Sequence, residues 1–119
     1  MALSPDKLQQ LKEKVIADNL FVFFPGEEVN HFFTTAIDWI IITNRRLIFI
    51  DNNFTSKKRS ITSIKYSSIT SISITRPGGM LAIGQEVEIT VSGRAIEIKF
   101  IDSENAKEFY RAMSLILYS

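Results

Sequence analysis

Two adjacent arginines stand in the stretch "IITNRRLIFID" (Ile41 to Asp51), flanked on both sides by apolar residues. Paired guanidiniums could clamp a phosphate, and they could equally be the polar tip of a β-hairpin. Lys57-Lys58-Arg59 is the densest positive cluster, and basic residues near an anionic membrane contribute ~1 kcal/mol each. In a strand, however, Lys58 faces opposite to Lys57 and Arg59, which halves the patch; a solvated strand start is the preferred reading. Arg76-Pro77-Gly78-Gly79 opens a loop to Gly84 that lacks the Gly-Lys-Ser/Thr end of a phosphate-binding loop, so it reads as a hairpin connection. Met80 and Leu81 within it are a candidate loop contact. Glu88 and Glu97 face each other if Ser92-Gly93 is a two-residue turn, a pairing able in principle to move protons or hold a cation. They lie on the water side of a plain hairpin beside Lys99, where such pairs are ordinary. The sole histidine, His31, has no partner set for catalysis, and there is no cysteine. No constellation joins a nucleophile, a base and an oxyanion site, so catalytic, metal-binding and cofactor-binding residues are all expected to be absent.

Composition narrows the classes further. At 119 residues the chain is most economically one domain, large enough for a real core, with 45% hydrophobic and 23% charged residues. Fourteen basic against 13 acidic residues leave a net charge of +1, without the basic field that a nucleic-acid binder needs to release counterions. The apolar runs Leu20 to Phe24 and Trp39 to Ile42 fall far short of the ~20 residues of a membrane span. The beginning, MALSPDKLQQLKEK, is too charged for a secretory signal, and Asn53-Phe54-Thr55 is then a chance glycosylation sequon. A soluble cytoplasmic protein is the expectation.

These residues must be positioned by two helices and a run of short strands. Leu3-Ser4-Pro5 reads as a helix start, with Ser4 capping, Pro5 at the first helical position and Leu3 stapling onto Leu8. Leu8, Leu11 and Val15 fall on one face of the helix at 4–18. Pro25-Gly26 punctuates the chain before the sheet. From Glu28 to Ile101, Ile, Val, Thr and Phe recur between turn residues, which predicts an antiparallel meander with strands at 28–35, 38–43, 46–51, 57–65, 69–76, 85–91 and 94–101. Val87, Ile89, Val91, Ile96 and Ile98 share one face of the last hairpin. After Ile101 the period becomes 3.6: Asp102 or Ser103 caps a helix whose Ala106, Phe109, Tyr110, Met113, Ile116 and Leu117 form a broad stripe. Seven strands and one such helix predict a bent sheet or barrel whose open end the helix covers.

Three segments in register, "PGEEV" (Pro25 to Val29), "TNRRLIFID" (Thr43 to Asp51) and "YSSITSISI" (Tyr66 to Ile74), resemble the bacterial pleckstrin-homology-like family over roughly residues 25–118. The resemblance implies a bent seven-stranded antiparallel barrel capped by a C-terminal helix. The chain then divides into an N-terminal amphipathic helix and apolar connector, 1–24, and a PH-like domain, 25–119. It also implies homo-oligomers, rings among them. Lipid-binding versions of this fold use a basic loop between the first two strands; here that loop is Thr35-Ala36-Ile37, short and uncharged, which argues against carrying over phosphoinositide binding. Arg45 and Arg46 are accordingly read as turn chemistry, with Asn44 tolerating the positive φ of a tight Asn44-Arg45 loop.

The most useful anomaly is a hairpin apolar on both faces: Trp39, Ile41, Ile48 and Ile50 on one, Ile40, Ile42, Leu47 and Phe49 on the other. Strands greasy on both sides are covered on both sides, by the N-terminal helix or by another subunit. Trp39, Ile41, Ile48, Ile50, Phe23 and Phe24 are therefore the candidate self-association surface. The leading expectation is a non-catalytic PH-like interaction module that forms a homo-oligomer and docks a further protein partner. The alternative is a peripheral membrane-surface module that binds anionic headgroups through Lys57, Lys58 and Arg59, with the Leu20 to Phe24 segment also at the membrane surface.

Overall fold

Helix α1 (Pro5–Asp18) begins as its residue types require. The Ser4 hydroxyl accepts from the Lys7 N–H and Pro5 takes the first helical position, where its missing donor loses nothing. The computed structural model describes residues 4–35, 37–51, 60–75 and 85–119. After α1 come a 3₁₀ turn (Leu20–Val22), β1 (Val29–Thr34), β2 (Asp38–Thr43), β3 (Arg46–Asp51) and β4 (Ile61–Lys65). A second 3₁₀ turn (Tyr66–Ser68) leads to β5 (Ile69–Thr75), β6 (Gln85–Val91), β7 (Arg94–Phe100) and α2 (Ser103–Leu117). Order and number agree with the sequence expectation. Neither 3₁₀ turn was expected, and the strand starts placed at 57–59 lie outside the described residues.

The strands form two antiparallel sheets, β1-β2-β3-β4 and β5-β6-β7. Among the described residues no ladder joins them, so the expected barrel is instead an open two-sheet sandwich. The 3₁₀ turn at Tyr66–Ser68 is the physical reason: it interrupts the ladder after β4 and turns the chain into the other sheet. The β6–β7 turn is as read, with Val91 opposite Arg94 and both Ser92 (φ 51) and Gly93 (φ 81) left-handed, the signature of a type I′ turn. Gly93→Ala is therefore expected to lower stability by about 1 kcal/mol, through the left-handed φ that a Cβ disfavours. Urea denaturation measures it, and an unchanged midpoint would contradict the turn assignment.

The main core lies between the sheets and α2. Ile40, Ile42 and Leu47 face inward from the first sheet and meet Val87, Ile89, Ile98 and Phe100 of the second, with Phe109 and Met113 closing the cluster from α2. Phe109 is edge-on to Phe33 at 5.6 Å and tilted against Phe100 at 5.5 Å. Asp102 caps α2 by accepting from the Glu104 N–H. The stripe expected on this helix is buried or half-buried, with Ala112 added to it.

A second, smaller core settles which face of the β2–β3 hairpin is outside. Ile41, Ile48 and Ile50 pack with Phe32 and Trp39 under Leu8, Leu11 and Val15 of α1. Ile41 and Ile48 are 0% exposed within a single chain. The N-terminal helix is therefore the cover, and Ile41, Ile48 and Ile50 do not form an open surface.

Candidate interaction surface

Phe24-Pro25-Gly26-Glu27 makes a tight turn in which the Glu27 N–H reaches the Phe24 carbonyl at 3.0 Å, with Gly26 at φ +80. Proline second and a left-handed glycine third define a type II turn. It aims the Glu27 carboxylate back toward the β2–β3 hairpin, where the side chain is 0% exposed. Arg46 meets it in a forked pair, Nε to Oε2 at 2.9 Å and Nη2 to Oε1 at 2.8 Å. The other guanidinium hydrogens reach Ser63 Oγ at 2.9 Å and the Val22 carbonyl. The Thr43 hydroxyl donates to Glu27 Oε2 at 2.7 Å and accepts from the Arg45 and Arg46 N–H groups, each at 3.0 Å. Tyr66 Oη lies 2.6 Å from both the Thr43 and Arg46 carbonyls. Arg46 thus holds Glu27 well below the usual carboxylate range, at about 2, with burial opposing and the Phe24 N–H and the Thr43 hydroxyl assisting. Burial pushes the Tyr66 phenol up to about 12, with the Glu27 charge assisting.

This node corrects the reading of the arginines. The expected positive φ at Asn44 is absent: Ser92 is the one non-glycine residue with positive φ among the described residues. Ladder pairing stops at Ile42 opposite Leu47, and the Thr43 hydroxyl closes the loop by accepting two N–H groups, a side-chain turn in place of a left-handed one. Arg45 is exposed at the tip as expected. Arg46 is not a solvated tip residue; its side chain is 12% exposed. Sequence reading missed Glu27 as its partner because the two are 19 residues apart and no periodicity links them. The signal present was that the three segments carrying the family resemblance each supply a member of this one network.

The node also fixes what the connector shows to solvent. Its inner side is held by Val22 and Phe23, which pack on the second core, and by the contacts to Arg46 and Glu27. Leu20 (65% exposed), Phe21 (80%) and Phe24 (50%) are left outside. The Arg46 guanidinium sits 4.3 Å from the Phe24 ring centroid and covers its other side. Of the residues chosen from sequence, Phe24 lies on this exposed patch, whereas Phe23 and Trp39 are half-buried in the second core. Leu20 and Phe21 were expected at a contact only as part of the whole Leu20 to Phe24 run, because run composition does not say which members turn inward.

A second exposed apolar area lies on α2, where Tyr110, Leu115 and Tyr118 border a hollow of about 400 Å³. Leu115 is 69% and Tyr118 72% exposed. Met80, Leu81, Lys57, Lys58 and Arg59 lie outside the described residues. Glu88 and Glu97 are cross-strand partners as read. His31 stacks on Phe33 at 6.0 Å. Asp38 and Asp51 face each other at the open end of the hairpin, and burial, then the Asp51 charge, raises the Asp38 pKa. Among the described residues there is no group of three His, Cys, Asp or Glu side chains able to hold a metal ion. None of their helices is long and apolar enough to cross a membrane.

Comparison with known proteins agrees with this geometry. Two uncharacterised proteins of Bacillus subtilis (strain 168) are similar: YjqA is 28% identical over 99 residues, covering 80% of this chain and 78% of its own. YozO is 27% identical over 94 residues, covering 79% and 82%. A crystal structure of a pleckstrin homology domain from Shewanella amazonensis SB2B superposes with a TM-score of 0.74 at 22% identity, over 89% of this chain and 97% of that one. A DUF1696 family protein with a pleckstrin-homology domain from Shewanella loihica PV-4 superposes with a TM-score of 0.72 at 19% identity, over 88% and 92%. Both structural likenesses concern the fold. The sequence pattern of the bacterial PH domain matches residues 4–117, α1 included, and with its motifs meeting in one buried node, the chain belongs to the bacterial PH domain family.

Proposed function

We propose that this chain is a non-catalytic interaction module that assembles with copies of itself, using Leu20, Phe21 and Phe24 as the contact. The observation that carries this reading is Phe21, an aromatic side chain 80% exposed on a connector whose backbone is pinned by Arg46 and Glu27. Large apolar side chains clustered at the surface mark contact sites, and a backbone already held in place loses little freedom on binding. A receptor of fitting chemistry is the hollow bordered by Tyr110 and Leu115 of α2 and by Tyr118 just past its end. Phe21 of one copy seated in that hollow of the next is a head-to-tail contact, the kind that closes into rings or extends into filaments. A net charge of +1 sets up little long-range repulsion between copies.

Light scattering across a concentration series tests this directly. The expected mass is that of several chains, falling to one chain in Phe21→Ser and in Leu115→Ser while the melting temperature stays within a few degrees of the parent. Monomer at every concentration overturns the reading. Salt-sensitive binding to anionic vesicles by that monomer would then assign the connector to a membrane surface.

A further inference from the structure

Between α1 and the outer face of the first sheet is a cleft of about 500 Å³. Its floor is a single row of cross-strand neighbours: Trp39 on β2 pairs with Ile50 on β3, which pairs with Ile61 on β4. Leu11 and Val15 of α1 form the roof, and Lys14, Asp18 and Asn19 on the same side of the helix form the mouth. The helix seals Ile41 and Ile48 completely and leaves Ile50 only 3% exposed, whereas Ile61 is 37% exposed. Protein interiors are close-packed, and voids larger than a water molecule are few. A hollow of this size with an indole and aliphatic floor falls in the range of small-molecule sites, roughly 300–1,000 Å³.

We propose that this cleft binds a small uncharged amphiphile, its apolar body against Leu11, Trp39 and Ile61 and a hydroxyl or amide head at the mouth. The electrostatics of the mouth select the head group. Lys14 Nζ is already 2.6 Å from Asp18 Oδ2, so an anionic head meets a neutralised ammonium and a carboxylate beside it. Both side chains are mostly exposed, 74% and 58%, so this paired and screened ammonium adds little attraction for an anion. Asn19 donates its Nδ2 to the Val15 carbonyl at 2.7 Å, which leaves its side-chain oxygen to accept from a hydroxyl or amide. This site is separate from the connector patch and does not rest on self-association.

Trp39 is the only tryptophan, so intrinsic emission reports from the floor of the cleft. The full chain is titrated with 1-decanol and with decanoate, following Trp39 emission and melting temperature. A saturable blue shift and a raised melting temperature with 1-decanol are expected, with decanoate binding more weakly. Ile61→Ser should weaken 1-decanol binding about tenfold by removing one apolar side chain from the floor. Asp18→Asn, a substitution on the exposed rim that does not threaten the fold, frees Lys14 and should shift the preference toward decanoate about threefold. No saturable response to either probe overturns the proposal. So does a 1-decanol response unchanged in Ile61→Ser, or tighter binding of decanoate by the unsubstituted chain.

Discussion

Arg46→Met is expected to destabilise the fold by about 3–5 kcal/mol, the usual penalty for leaving a buried charge without its partner. The Glu27 carboxylate is fully shielded from solvent and takes a forked pair of hydrogen bonds from Arg46. With the guanidinium gone it must either stay charged in a poorly solvating site or take up a proton. The Val22 carbonyl and Ser63 lose a donor as well. Replacing both Glu27 and Arg46 with apolar residues should be less damaging than the sum of the single changes, because each single change includes the penalty of the orphaned partner. Urea denaturation of the two single variants and the double variant measures the coupling; strictly additive effects would show that the pair does not interact energetically.

The same pair fixes an acid limb of stability. Glu27 titrates at about 2 in the folded chain against an ordinary 4.5. A depressed carboxylate stabilises the fold fully above its unfolded value, and that contribution fades as pH falls from about 4.5 toward 2. Lowering a carboxylate's pKa by one is worth about 1.36 kcal/mol, which puts the contribution here on the order of 3 kcal/mol. The parent should therefore lose stability steeply between about pH 5 and 2, and Glu27→Gln should lose less over that interval while starting lower at neutral pH. Parallel pH profiles for parent and Glu27→Gln would refute the assignment.

Phe109→Ala is expected to have a comparable effect, about 3–5 kcal/mol, for an unrelated reason. Phe109 is 0% exposed and packs against Phe33 and Phe100 where α2 meets both sheets. Truncation removes apolar area and leaves a cavity that three packed elements cannot collapse around. Domains are commonly stable by only about 5–15 kcal/mol, so this variant is expected to be close to unfolded at physiological temperature by circular dichroism. At concentrations low enough to keep the chain monomeric, Phe21→Ala removes the same atoms from an exposed position and should change stability by no more than about 0.5 kcal/mol. Similar losses at the two positions would be incompatible with the burial of Phe109 and the exposure of Phe21.

What the sequence by itself determined is local. The α1 start at Ser4-Pro5, the Ser92-Gly93 turn and the Asp102 cap each depend on a few adjacent residues whose hydrogen bonds close within a turn. The alternation of Val87, Ile89, Ile96 and Ile98 and the 3.6-residue stripe of α2 were legible because period alone selects the face. The order of seven strands and a final helix, with the three motifs, was enough to point to the PH-like architecture.

Only the tertiary structure decided the rest, because it rests on contacts between residues far apart in the chain. A hairpin apolar on both faces has no preferred inside by periodicity; the packing of Val15 over Ile41 and Ile48 chose it. Within Leu20 to Phe24, composition is apolar throughout, and the bonds from Arg46 to the Val22 carbonyl and from the Phe24 N–H to Glu27 settled which rings face out. Arg45 and Arg46 are chemically identical neighbours, yet one is exposed at a loop tip and the other is an interior ligand of Glu27. A sequence records the two charges; the position of a carboxylate 19 residues away decides which of them is held.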